Sequence, residues 1–401
     1  MIDFPYIRDI CQTTDSKIVL LVVDGLGGLP HPSTKMSELE TANLPNLDRL
    51  AQISACGLTT PVLPGVTPGS GPGHMALFGY DPVEYLIGRG VLEAIGIGVK
   101  LGRSDVAARG NFCTVDKNGL ITDRRAGRIK SEESAKLVAE LAKIKVHGVT
   151  GEFHPVKDHR FVLVLKGKGL SEEVGETDPQ AEGVAPLDAI PLDDEADATA
   201  EAVNMWVSEA RMVLKGRDKA NMVLLRGFSQ LPSLPDMGET YAMKPAAIAA
   251  YPMYRGLAQL CGMTVIPTGT SFDDELDTLE ANWDKHDFFF LHYKPADAAG
   301  EDGNFEAKIA ALEELDKRIP RLVNLGADTL VIAGDHSTPA VIGAHSWHPV
   351  PLMVHSMDTK GEGIDAFNER QCANGSIGRI PATSVMMLAM AHAGKLAKFG
   401  P

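Results

Sequence analysis

Long apolar runs that stop abruptly at charged or glycine-rich clusters set the rhythm of this chain. Residues 18–23 read Ile-Val-Leu-Leu-Val-Val, without the polar alternation of a strand that has one wet face. Such a run predicts a strand buried on both sides, as in a parallel sheet covered by helices. Residues 329–333 (Thr-Leu-Val-Ile-Ala) repeat the pattern, and residues 288–291 (Phe-Phe-Phe-Leu) add a third run. Shorter strand-like runs lie at 161–165 and 222–225, while helical spacing marks 196–214 and the Met- and Ala-rich segment 384–398. Interleaved strands and helices of this kind predict an α/β fold with a mostly parallel sheet.

The three long runs lead into groups able to hold a ligand. The first stops at Asp24-Gly25, and the run at 329–333 stops at Gly334-Asp335-His336-Ser337-Thr338. The run at 288–291 leads into His292-Tyr-Lys294-Pro-Ala-Asp297-Ala-Ala-Gly-Glu301-Asp302-Gly303, and Gly343-Ala-His345-Ser-Trp-His348 follows later. Ligands of open α/β sheets bind beyond the carboxyl ends of strands, so these acids and histidines can converge although far apart in sequence. One further segment, Thr67-Pro-Gly-Ser70-Gly-Pro-Gly-His74, places a hydroxyl on a turn of glycine and proline directly before a helix-like run over 74–78. Glycine lets backbone N–H groups approach an anion, and a helix start adds partial positive charge, so Ser70 is a candidate nucleophile beside a phosphate-binding turn. His74 reads as structural or as a support behind the ligand-bearing residues.

Carboxylates, imidazoles and a hydroxyl without thiolates suit divalent ions that take oxygen and nitrogen ligands, such as manganese, zinc or magnesium. The candidate ligands exceed what one ion needs. They point to a pair about 3.5–4 Å apart, the usual device for stabilising both attacking and leaving oxygens at phosphorus. A cation beside Ser70 would favour its charged, nucleophilic form.

At 401 residues the chain is too long for one core of usual size. The candidate metal-site segments fall in 1–85 and 240–401, which makes 86–239 an inserted, smaller α/β domain, with glycine-rich segments near 88–98 and 229–239 as hinges. Five cysteines (Cys11, Cys56, Cys113, Cys261, Cys372) show no metal spacing, and their odd number suits a reduced, cytoplasmic interior. No apolar run long enough to span a membrane and no basic stripe for nucleic acid is present. The segment 384–398 serves core packing or a homo-oligomer contact.

Several of these stretches together resemble a known family. They are Val-Val-Asp24-Gly25-Leu-Gly-Gly, Glu40-Thr-Ala-Asn-Leu-Pro-Asn-Leu-Asp48, the Ser70 turn, Gly88-Arg-Gly-Val-Leu-Glu93 and Ala108-Arg109-Gly110-Asn111-Phe112. Ile121-Thr-Asp123-Arg124-Arg125-Ala-Gly-Arg128, Lys244-Pro-Ala-Ala-Ile-Ala-Ala-Tyr-Pro and Gly334-Asp335-His336-Ser-Thr-Pro complete the set. Along nearly its whole length the chain resembles the archaeal-type 2,3-bisphosphoglycerate-independent phosphoglycerate mutases of the alkaline phosphatase superfamily. The resemblance implies an alkaline-phosphatase-like metal domain and a phosphoserine mechanism that interconverts 3-phosphoglycerate and 2-phosphoglycerate. It implies Asp24, Ser70, Asp335 and His336 as ligands of one ion, and Asp297 and His345 as ligands of the other. Where the family carries a histidine at the end of Asp-x-x-Gly-His, this chain has Glu301. Glutamate can ligate through oxygen and would shift the site towards harder ions; His292 and His348 are the substitutes if it does not.

The formal charge is -15, from 53 acidic against 38 basic side chains, so the mean field repels a polyanionic substrate. Local cations must dominate: a unit pair at 4 Å contributes about 4 kcal/mol at an effective dielectric of 20, while distant charges are screened beyond about 8–10 Å. Arginine's planar fork suits carboxylate and phosphate. The resemblance assigns the substrate to Arg109, Asn111, Asp123, Arg124 and Arg128, with His159 and Arg226 facing it, and sets Lys244 on the transferring phosphoryl group. Closure of the insertion as a lid would exclude water from the phosphoserine. Two alternatives stay open: a phosphatase or phosphotransferase acting on another small alcohol, and a silent binding protein that has lost its second ion at Glu301.

Overall fold

The structure, a computed structural model, describes residues 1–146, 148–361 and 364–400. Two compact units divide the chain: Met1–Leu86 with Leu234–Pro401, and Ile87–Ser233.

The larger unit is built on an eight-stranded sheet. Its strands in chain order are β1 (Ile18–Val23), β2 (Ala55–Thr60), β3 (Pro245–Ile248), β4 (Thr264–Val265), β5 (Phe288–Tyr293), β6 (Thr329–Ala333), β7 (Val350–Ser356) and β8 (Gly378–Pro381). They lie in the order β8-β2-β7-β6-β1-β5-β3-β4, and only β7 runs against the others. The apolar runs at 18–23, 288–293 and 329–333 form the three adjacent central strands, buried along their whole length. Ile18 is in register with both Phe288 and Thr329. Because β1, β5 and β6 run in step, Asp24, Lys294 and Gly334 leave the sheet along one edge, and the reversed β7 brings the segment before Val350 to that same edge.

The helix carrying Ser70 spans Ser70–Leu77 and begins at the serine itself, one turn earlier than the run at 74–78 predicts. Gly-Pro-Gly in its first turn does not break it, since backbone donors in a first turn have no partner within the helix and Pro72 forfeits nothing there.

The smaller unit holds a five-stranded antiparallel sheet of Val106–Val115, Ile121–Asp123, Thr150–Pro155, Arg160–Lys166 and Met222–Ser229. Its core contains Phe112, Phe161 and Trp206, the last stacked on Phe153 with ring centroids 4.5 Å apart. The glycine-rich segment expected as a hinge at 88–98 folds instead as a helix, Arg89–Gly96, whose Val91 and Ala94 are buried and whose Val91 N–H donates to Ser229 Oγ at 2.9 Å. Among the described residues no helix is long and apolar enough to cross a membrane.

Candidate active site

Ser70 opens its helix with Gly69 extended before it and no side chain capping the turn, so the helix's partial positive end faces the hydroxyl. Its Oγ lies 3.1 Å from His336 Nε2. Two groups of ligand atoms gather here, Asp24 with Asp335 and His336, and Asp297 with His336 and His345, each within 4.8 Å. Asp24, Asp297, Asp335 and His336 are fully buried. Asp24 Oδ1 and Asp335 Oδ2 stand 3.4 and 3.1 Å from His336 Nε2. Neither oxygen has a hydrogen bond of good geometry.

An orphaned buried carboxylate oxygen costs free energy unless a cation or donor meets it. Two such oxygens beside an imidazole and a hydroxyl therefore fit a divalent ion. Thr338 Oγ1 fixes the remaining edges, lying 2.9 Å from His336 Nδ1 and donating to Asp297 Oδ1 at 2.6 Å, which leaves His336 Nε2 as the ligand atom. His345 stacks on His336 with centroids 3.7 Å apart, and its Nε2 is 3.6 Å from Asp297 Oδ1.

Charge balance agrees with that geometry. Burial opposes ionisation of Asp335, yet His336 and His74 hold its pKa well below the usual carboxylate value. Burial and the neighbouring Asp335 push against Asp24, and His292 and Lys294 overcome them. For His336 burial disfavours the charged ring, but Asp335, Asp24 and Asp297 raise its pKa.

Asp24 Oδ2 is held separately. It accepts from His292 Nε2 at 2.9 Å, from Lys294 Nζ at 3.1 Å and from the Tyr254 hydroxyl, which also reaches Ser70. His292 is thereby engaged in orienting Asp24, and His348 Nδ1 sits 3.1 Å from Ser346 Oγ, outside both ligand groups. Glu301 Oε1 approaches His345 Nε2 at 3.4 Å on a side chain 55% exposed, so it borders the second group without closing on it.

Lys244 is a correction. It is exposed and precedes β3, with its N–H on Asp287 Oδ1 immediately before β5, which puts it at the amino edge of the sheet, opposite Ser70. Lys294, past the carboxyl end of β5, is the ammonium present at the site. Burial works against its charge, and Asp24 and Asp297 outweigh burial to raise its pKa. Lys294 and Tyr254 were missed as site residues. Both follow strands of the carboxyl edge, and that placement was the available signal.

Within the smaller unit, Arg109 and Arg226 face each other across neighbouring antiparallel strands, with Asn111 opposite Arg160. Burial lowers the pKa of Arg109, and the like charges of Arg89, Arg160 and Arg226 add to this against Glu93. Arg109 Nε, Asn111 Oδ1 and His159 Nδ1 are buried without hydrogen bonds. Burial pushes His159 down to about 4, aided by Arg160, Arg109 and Arg125. Crowded cations with unfilled polar atoms suit an anion.

Arg124 and Asp123 depart from the expected role. The Arg124 fork is taken by buried Asp178, at 3.1 and 2.7 Å, and Asp123 accepts from the N–H groups of Arg125 and Gly127 at 2.7 and 2.5 Å. These bonds hold a turn in which Ala126, Gly127 and Arg128 all have positive φ (48°, 65° and 51°). Left-handed residues in succession store strain that the surrounding bonds must maintain. The turn leaves Arg128 exposed, without an ion pair among the described residues.

Comparison with known proteins bears on this geometry. The profile of a family described as 2,3-bisphosphoglycerate-independent phosphoglycerate mutase matches residues 51–219. A probable enzyme of that name from Thermotoga maritima is 51% identical over 397 residues, 98% of each chain. Its counterpart from Thermus thermophilus is 48% identical over 402 residues, 99% of each. Among solved structures, a cofactor-independent phosphoglycerate mutase from Thermoplasma acidophilum is 30% identical with a TM-score of 0.74, covering 94% of this chain and 100% of that one. A Pyrococcus horikoshii protein, 28% identical, gives a TM-score of 0.82 over 97% and 100%.

Proposed function

This chain belongs to the 2,3-bisphosphoglycerate-independent phosphoglycerate mutase family, and from that premise we propose that it interconverts 3-phosphoglycerate and 2-phosphoglycerate through a phosphoserine on Ser70. One observation carries the reading: the Ser70 hydroxyl, at the start of a helix, stands 3.1 Å from His336 Nε2 beside two buried carboxylate oxygens that make no hydrogen bond of good geometry.

Asp24, Ser70, Asp335 and His336 would hold one divalent cation, and Asp297 and His345, with Glu301 turned inward, a second. Bound there, the cations would neutralise phosphoryl oxygens and favour the ionised seryl oxygen. The carboxylate-rich second set favours manganese or magnesium over zinc.

Ser70 Oγ forms its bond to phosphorus as the bond to the glycerate oxygen breaks, and the helix start holds the phosphoryl oxygens. Arg109, Asn111, His159 and Arg226 hold the sugar acid's carboxylate and hydroxyls while it turns, and Arg128 offsets charge on the phosphoryl group. The 2-hydroxyl then takes the phosphoryl group back. His159, neutral at physiological pH, serves as a hydrogen-bonding group.

The test is conversion of 3-phosphoglycerate with manganese present and bisphosphoglycerate absent, comparing the parent with Ser70→Ala. The parent is expected to form 2-phosphoglycerate and the variant to form none. Equal activity in the variant would discard the covalent step, and inorganic phosphate in place of the isomer would make the protein a phosphatase.

A further inference from the structure

Lys294 touches both ligand groups with one ammonium. Its Nζ donates to Asp24 Oδ2 at 3.1 Å and to Asp297 Oδ2 at 2.5 Å, one carboxylate from each group. The sister oxygens face the imidazoles: Asp24 Oδ1 is 3.4 Å from His336 Nε2, and Asp297 Oδ1 is 3.6 Å from His345 Nε2. The lysine holds the outer oxygen of each carboxylate and leaves the inner one to face the imidazoles. Its own position is fixed by the Tyr254 hydroxyl at 3.2 Å and by the face of that ring, 5.7 Å from Nζ to the centroid. Tyr254 is in turn stacked on His292 with centroids 3.6 Å apart, so the ammonium is tethered to a rigid wall.

Three carboxylates, Asp24, Asp297 and Asp335, are buried here with no exposure. Without an ion they repel one another, and each lacks water to disperse its charge. Lys294 offsets part of that charge permanently.

We propose that Lys294 is a positioning residue shared by both cation sites, which aims Asp24 Oδ1 and Asp297 Oδ1 inward and limits how tightly the site grips its ions. The proposal rests on the metal-dependent mutase reading. Two effects compete when the lysine is neutralised: lost orientation weakens ion binding, and removal of a cation from the ions' vicinity strengthens it. The second wins, because a dication doubles the Coulomb term of an ordinary pair, whereas the lost bonds are two.

The experiment is calorimetric titration of manganese into the chelator-stripped full chain, with thermal unfolding of the same samples before manganese is added. Lys294→Gln, which keeps a donor without charge, should bind manganese about ten-fold more tightly and unfold several degrees lower when metal-free. Lys294→Arg, which keeps the charge, should stay within about three-fold of the parent. Unchanged or weaker manganese binding by Lys294→Gln overturns the proposal, as does a metal-free midpoint equal to the parent's. If Lys294→Gln folds only with manganese present, the proposal stands, since the charge was then needed in the empty site. A parent that binds no divalent ion would overturn the metal-dependent reading itself, a result distinct from failure of the lysine variants.

Discussion

A side-chain carbon on Gly73 would stand 2.2 Å from the carbonyl oxygen of Asp335, so the helix bearing Ser70 presses directly on the loop bearing two metal-ligand candidates. Only glycine permits that approach, and it sets the distance from Ser70 to His336. Gly73→Ala must push helix and loop apart, at a cost of about 1–3 kcal/mol by the usual scale of overpacking. Mutase activity is expected to fall further than stability does. Denaturant unfolding alongside the isomerase assay checks this, and full activity in a stable variant would contradict it.

Arg109 opposite Arg226 is a like-charge pair in register, which Glu176 Oε2 at 3.3 Å and Asp178 Oδ2 at 3.8 Å offset on the Arg226 side only. Arg109→Gln should therefore unfold no more easily than the parent when ligand-free. It should also lose most of the thermal stabilisation that 3-phosphoglycerate gives the parent, and kcat/KM should drop by about 30-fold or more, the scale of a lost buried charge contact. Thermal shift with and without substrate separates these two effects.

His159 gives a pH dependence with a definite sign. Its folded pKa lies at about 4 against an ordinary 6.5, through burial first and then Arg160, Arg109 and Arg125, with Asp158 opposing. Between those values the unfolded chain binds a proton that the folded chain does not. Stability from this group is complete above pH 6.5 and lost as pH falls towards 4. His159→Asn should flatten that part of the stability curve, measured by urea unfolding at a series of pH values.

Much of the larger unit was legible because strands buried on both faces leave unmistakable apolar runs, and each long run led into a ligand-bearing cluster. The edge that gathers Asp24, Asp335, His336 and Asp297 follows from parallel register alone. Lys244 failed because a lysine at the start of a motif says nothing of which end of its strand faces the site; only the direction of β3 decides that. Arg124 read as a free fork because Asp178, its partner, is 54 positions away. The helix at Arg89–Gly96 was hidden by glycines, which lower helix propensity on their own but are tolerated where Val91 and Ala94 pack.

Lys308 extends the argument about cations behind the site. It is fully buried, and its Nζ donates to Gly27 O and Thr338 O at 2.9 Å each, tying the loop after β1 to the loop after β6, with Glu38 Oε1 at 4.0 Å. Burial lowers its pKa, and Glu38, Glu369 and Asp297 act in the other direction. Lys308→Met would remove the lysine donor from the buried Thr338 carbonyl, leave Gly27 O with only the Thr338 N–H at 3.0 Å, and take away Glu38's counter-charge, a loss on the order of 3–5 kcal/mol. Because the tied loops carry Asp24, Asp335 and His336, the same variant should bind manganese more weakly than the parent, the opposite sign to Lys294→Gln. The contrast is informative: Lys308 sits behind the loops and holds their backbone, whereas Lys294 sits among the carboxylates and competes with the ion for them. Urea unfolding and manganese titration of both variants side by side test that distinction, and tighter manganese binding by Lys308→Met would contradict it.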